Sequence, residues 1–157
     1  MTSERIDILE RGDNFAPATA AVNWSGSVNV PANSEVTIPI TVVGGLKGNV
    51  FEYVASAQAL RIKQEGVIGY WVNAIFNATG VANINVLLRQ ASPFHDWSLV
   101  VQTYYTHSQF IFGMGGMRFV DVPAGGANYK IHIVNSGGSG SFTLSQMAIR
   151  LAYLGRR

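Results

Sequence analysis

The chain has 157 residues, of which 48% are hydrophobic and only 13% charged, against roughly 25% charged in an ordinary soluble domain. A single domain of this length buries roughly 70% of the surface of its unfolded chain. A full core is therefore within reach, but the charges are too few to coat a monomer, so the surface is expected to be rich in Ser, Thr, Asn, Gln and Gly, partly covered by other subunits, or both. The absence of cysteine excludes disulfides, thiolate metal sites and cysteine nucleophiles, and a net charge of +2 that is spread rather than clustered excludes the basic face of a nucleic-acid binder.

Residues 1–27 show no sustained period. The first thirteen hold four acids and two bases and lack the apolar core of a signal peptide. Ile6, Ile8, Leu9, Phe15 and Trp24 stand among small and charged residues, which is enough apolar surface to dock but too little to fold alone. We read this stretch as an extended N-terminal arm, followed by one domain over residues 28–157. No run of about 18 apolar residues reads as a membrane helix, so a soluble domain is expected.

Within Val28 to Val43, Val36, Ile38, Ile40 and Val42 alternate with Thr37, Pro39 and Thr41, and Pro39 confines the run to an edge strand or an unpaired position. Phe51 to Ile62 offers one or two further strands. Gly66 to Gln90 holds two apolar runs around an Asn-Ala-Thr-Gly break and reads as a β-hairpin at the centre of a sandwich. In its first run Tyr70, Val72, Ala74 and Phe76 face one way and Trp71, Asn73, Ile75 and Asn77 the other; in its second, Ile84, Val86 and Leu88 oppose Asn85, Leu87 and Arg89. Each run thus backs a pure apolar face with a mixed one that is expected to meet something other than water.

Ala91 to Trp97 reads as a loop, Ser98 to Phe112 as two strands, Gly113 to Met117 as a flexible turn and Arg118 to Val122 as a short strand. Pro123 to Ala127 reads as a tight turn into a strand from Tyr129 to Asn135. After a Gly/Ser loop, Phe142 to Leu154 alternates Met147, Ile149, Leu151 and Tyr153 against Ala148, Arg150 and Ala152. Short strands at this spacing, with no helical run among them, predict an all-β antiparallel sandwich or jelly roll.

Chemistry is sparse. His95 is followed by Asp96 on the opposite face of an extended chain, while His107 and His132 stand alone, so no neighbourhood has metal-ligand spacing. Ser98, His107 and Asp121 can be named as a triad only as any serine-rich chain permits. Gly113-Met114-Gly115-Gly116 lacks the helix and the Lys-Ser/Thr end of a phosphate loop. Arg11-Gly12-Asp13 is a chance tripeptide, and Asn23-Trp24-Ser25 and Asn77-Ala78-Thr79 are only formal glycosylation patterns in a chain with no visible secretion signal. Tyr104, Tyr105, Phe110 and Phe112 have the composition of a sugar-binding platform, although strand aromatics more often serve a core or an interface.

Four segments carry a resemblance. Leu60-Arg61-Ile62-Lys63-Gln64-Glu65-Gly66 leads through a basic, polar turn into an aromatic strand. Val81 to Gln90 alternates Asn with Val and Leu. Phe119-Val120-Asp121-Val122 runs into Pro123-Ala124-Gly125, and Phe142 to Gly155 closes on Arg150-Leu151 and Leu154-Gly155. On these segments the chain resembles the tumour necrosis factor/C1q-like (TNF/C1q-like) jelly-roll family, especially its small phage and bacterial versions, although Gly126 stands where the family often has an acid.

The resemblance implies a homotrimer with the apolar outer faces of several strands packed around a threefold axis. Tyr70, Trp71, Phe76, Tyr105, Phe112, Met147 and Tyr153 are the pool from which core and axis are drawn. It further implies a non-enzymatic viral structural protein: a trimeric head decoration protein on the exterior of a bacteriophage capsid, bound to the major capsid protein through the arm residues Ile6, Ile8, Leu9, Phe15 and Trp24. The alternative is a receptor- or glycan-binding tip module of a phage tail. No cofactor, metal, nucleic-acid or membrane partner is expected.

Overall fold

The β-branched and aromatic alternation is realised as antiparallel strands throughout. The computed structural model describes residues 17–90, 92, 94–104, 109–136 and 139–156. The strands are β1 (Thr19–Val30), β2 (Ser34–Ile38), β3 (Val42–Lys47), β4 (Phe51–Val54), β5 (Ala59–Ile62), β6 (Gly66–Thr79), β7 (Ala82–Gln90), β8 (His95–Tyr104), β9 (Gln109–Val120), β10 (Ala127–Asn135) and β11 (Ser141–Gly155), with a 3₁₀ turn at Ala55–Ala57. They form two sheets, one ordered β3-β1-β11-β6-β9 and the other β4-β5-β10-β7-β8, in which β2 also pairs with β10. The result is a β-sandwich jelly roll.

The core lies between the sheets. Alternation sends Val72, Phe76, Ile149 and Leu151 inward from the first sheet and Ile84, Val86, Ile131 and Ile133 inward from the second. The Phe76 and Phe142 rings meet edge to face at 5.8 Å, and Trp97 meets Tyr129 at 5.0 Å. Pro39 falls in the unpaired stretch between β2 and β3, where its missing N–H costs no ladder bond.

Four expectations are corrected. First, β6 and β7 do not pair as a hairpin. The connection at Gly80, with φ of +73°, carries the chain from one sheet to the other. The ladders explain why: the 14-residue β6 lies between the 15-residue β11 and the 12-residue β9, while the 9-residue β7 lies between the 9-residue β10 and the 10-residue β8. Strands matched in length leave few backbone groups unpaired.

Second, Gly113 to Met117 is not a turn but the middle of β9, paired residue for residue with Asn73 back to Gly69 of β6, and Arg118 to Val120 continues the same strand. Its glycines sit where aromatic side chains of β6 need the room. Third, the stretch read as an arm ends earlier than expected. From Thr19 onward it is β1, paired with β11 on one side and β3 on the other, because Ala20 and Val22 have an apolar core to fill. The loop read as 91–97 is also shorter, since β8 begins at His95.

Candidate functional site

The two sheets differ in what they show to solvent. In the five strands of the first sheet, Lys47, Arg118 and Arg150 are the only charges and there is no acid at all. The strands of the second sheet carry Glu35, Glu52 and Asp96 against Arg61, Arg89 and Lys130, with His95 and His132 besides. A solvated sheet face ordinarily carries charge, whereas depletion of charge with retention of aromatics and Met marks an association surface.

The outer face of the first sheet also holds a patch of exposed apolar side chains. Trp71 is 46% exposed, Met117 68%, Phe119 37% and Leu154 53%. The register makes them neighbours, because Trp71 pairs with Gly115, Gly69 with Met117 and Val67 with Phe119, while Leu154 Cδ1 would lie 3.3 Å from a Cβ on Gly69. The indole of Trp71 spreads over two glycines: a Cβ on Gly113 would lie 2.7 Å from its Cζ2 and one on Gly115 2.6 Å from its Cε3. Glycine in β9 thus lets a large aromatic lie against the backbone of the neighbouring strand.

Two grooves run along this face. One, of about 490 Å³, lies beside Trp71, Gly69, Ala152 and Arg150. The other, of about 570 Å³, is lined by Trp24, Pro39, Asn73, Ile75 and Gln146 among others. Register slips at Ser25/Val28 in β1 and at Leu144/Gln146 in β11 fall side by side, and such bulges bend a strand and open the face beside them.

The residues singled out from the sequence separate into distinct places. Phe76 and Met147 are core. Tyr70 points inward and is half-buried, its hydroxyl where a Cβ on Gly116 would be, at 2.7 Å. Tyr153 is half-buried and donates to the Glu65 carbonyl at 2.8 Å. Among the described members of that pool, Trp71 alone stands on the exposed outer face. Tyr105 and the side chain of Phe112 lie outside the described residues, as do Ile6, Ile8, Leu9 and Phe15. Trp24 is a residue of β1, partly buried against the core, and so belongs to the sheet and not to a free arm. Met117, Phe119 and Leu154 were not singled out; the signal of the first two, which share one face of β9 with Gly113 and Gly115, was hidden by the reading of glycine as a turn.

The second sheet's outer face is organised around Arg89. Its Nε donates to Asp96 Oδ1 at 2.7 Å and its Nη2 to Asp96 Oδ2 at 3.0 Å. Nη1 and Nη2 donate to the two carboxylate oxygens of Glu35 at 3.1 and 3.2 Å, and Nη1 lies 3.1 Å from His132 Nδ1. Phe94 packs on the guanidinium, 5.0 Å from its ring centre. His132, expected to stand alone, is therefore part of a cluster drawn from four strands and a loop. The two carboxylates hold the Arg89 pKa above its usual range. The Arg89 hydrogen bonds hold the Glu35 carboxyl below the usual carboxylate value. Burial, and then the neighbouring Arg89 charge, lower the His132 imidazole. Among the described residues no group of three or more His, Cys, Asp or Glu is placed to hold a metal, and no helix is long and apolar enough to cross a membrane.

No protein-family model and no curated protein sequence matches the chain. Solved structures do match. The Eiger TNF of S. frugiperda superposes with a TM-score of 0.60 at 13% identity, over 90% of this chain and 95% of that one. The PRD1 vertex protein P5 superposes with a TM-score of 0.59 at 15% identity, over 89% and 99%, and the globular domain of zebrafish complement 1qA with 0.53 at 12% identity, over 89% and 99%. The fold is the TNF/C1q-like jelly roll. At these identities the likeness is one of fold.

Proposed function

We propose that the chain is the subunit of a homotrimeric virion surface protein, a head decoration protein that binds the outside of a phage capsid and ties neighbouring capsid subunits together without catalysing a reaction. The observation that carries this reading is the segregation of charge: one sheet has no acid in its strands and exposes Trp71, Met117, Phe119 and Leu154 together, while the other carries charges of both signs, Arg89 paired with Glu35 and Asp96 among them. Packing the acid-free faces around a common axis removes that apolar surface from water, and an obligate interface of this kind buries about 2,000 Å² or more. The likeness in fold to the PRD1 vertex protein P5 supports a place on a virion.

The residues ahead of β1 supply the reach. A capsid-binding segment on each of three protomers makes the second and third capsid contacts effectively intramolecular, so modest single contacts sum to long residence. The test has two parts. Light scattering at micromolar concentration should give three times the chain's mass, and a monomer there overturns the assembly. Deleting residues 1–14 should leave the trimer and its melting temperature intact while capsid occupancy falls sharply; unchanged occupancy overturns the role of the arm.

A further inference from the structure

The Arg89 cluster lies on the sheet face opposite the proposed association surface, and its geometry requires one particular protonation state. A guanidinium has five N–H donors. Here two serve Asp96, two serve Glu35, and the fifth points at His132 Nδ1 from 3.1 Å. A nitrogen that accepts this bond carries no proton, so the neutral imidazole holds its proton on Nε2; the Thr37 hydroxyl lies 3.4 Å from each ring nitrogen and fits either tautomer. Charging His132 places a second N–H donor and a second positive charge against a guanidinium that has no way to accept either.

We propose that His132 is the proton-sensitive element of a clasp that fastens β2 to the body of the sandwich. The cluster contains Glu35 and Thr37 from β2, Arg89 from β7, Asp96 from β8 and His132 from β10, with Lys130 next along β10. Arg89 and Asp96 are directly paired residues of adjacent strands, and they share the shortest bond of the set. When His132 becomes charged, Nη1 is the atom that turns away, and Nη1 is also a donor to Glu35. The bond that yields is therefore the one to β2.

The consequence is local. β2 is a five-residue strand that covers the edge of β10 from Ile131 to Asn135, and an uncovered strand edge is a template for pairing with another extended segment. Mild acid thus loosens β2 and presents the β10 edge, while the first sheet, with no histidine in its strands, is untouched.

The experiment uses the full chain. The His132 ring resonances are followed by NMR from about pH 8 to about pH 4.5, and amide exchange of β2, corrected for its intrinsic pH dependence, is read by mass spectrometry over the upper part of that range. A midpoint below the ordinary histidine value of about 6.5 is expected, with corrected exchange in β2 rising by up to about tenfold per pH unit as the pH falls from about 6.5 to that midpoint and levelling off below it. In H132N, which keeps a neutral acceptor near Arg89, β2 exchange stays flat above the carboxylate range. A midpoint at or above 6.5 means that Glu35 and Asp96 welcome the charged ring, and overturns the proposal. So does a pH profile that H132N shares with the unaltered chain. The titration of the unaltered chain decides the matter alone if H132N fails to fold.

Discussion

Trp71 and Gly115 are paired across β6 and β9, and a methyl group on Gly115 would lie 2.6 Å from Cε3 of the indole and 3.0 Å from the Tyr70 carbonyl oxygen. The glycine is thus part of the tryptophan's seat. Gly115→Ala should push the indole off β9 and cost about 1–3 kcal/mol, the usual range for forcing a methyl into occupied space. Denaturant unfolding together with tryptophan emission checks it. A variant with unchanged midpoint and unchanged emission shows that the ring has another place to lie.

The exposed patch gives a second prediction. Met117 is the most exposed of its apolar members and pairs with Gly69, so Met117→Glu removes no core contact and should leave the fold of each subunit intact. In a proposed interface without acids the new carboxylate would be desolvated and unpaired, and association should weaken at least about thirtyfold, corresponding to the roughly 2 kcal/mol of an interface hot spot. Sedimentation velocity over a concentration series, with circular dichroism as the control for folding, reads both parts. Self-association equal to that of the unaltered chain would remove this face from the interface.

The two faces of β6 and of β11 were legible in the sequence, because alternation is a property of a strand by itself. Val72 and Phe76 are core and Trp71 and Asn73 are outside, as their parity required. Partnership was not legible. A hairpin and a crossover between sheets give β6 and β7 the same alternation, and the choice rests on β11 and β9, which lie far along the chain. Gly113 and Gly115 failed for the same reason, since the cause of each glycine is Trp71, some forty positions earlier. The Arg89 cluster was invisible because Glu35, Arg89, Asp96 and His132 are drawn together only by the packing of β2, β10, β7 and β8.

That cluster makes a comparative prediction about ion pairs. Lys63 and Glu52 approach to 3.7 Å with both side chains largely solvated, whereas Arg89 is mostly shielded and bonded to two carboxylates. Lys63→Ala should change stability by less than about 0.5 kcal/mol, as exposed pairs do. Arg89→Ala should cost about 1.5–3 kcal/mol, the range for hydrogen bonds to charged groups. Paired unfolding curves at low and moderate salt compare the two, and equal costs would mean that the bidentate geometry adds nothing.

Tyr129 offers the last test, at the opposite end of the pH scale. Its side chain is fully buried in β10, and its hydroxyl donates to Gln90 Oε1 at 2.6 Å, inside the sandwich. Burial, reinforced by the charge of Asp121, raises its pKa above the ordinary 10.0. A phenol whose folded pKa is raised stabilises the fold fully below the unfolded pKa, and that contribution is lost as pH climbs from there toward the folded value. Stability should therefore fall above about pH 10 as the unfolded chain ionises at this position and the folded chain does not. Tyr129→Phe should cost about 1–2 kcal/mol at neutral pH through the lost hydrogen bond and should show a shallower alkaline decline, because one raised phenol has been removed. Unfolding curves at neutral pH and across the alkaline range, with the ultraviolet absorbance of phenolate as the titration signal, measure both effects. An alkaline slope unchanged by the substitution would place the sensitive tyrosine elsewhere.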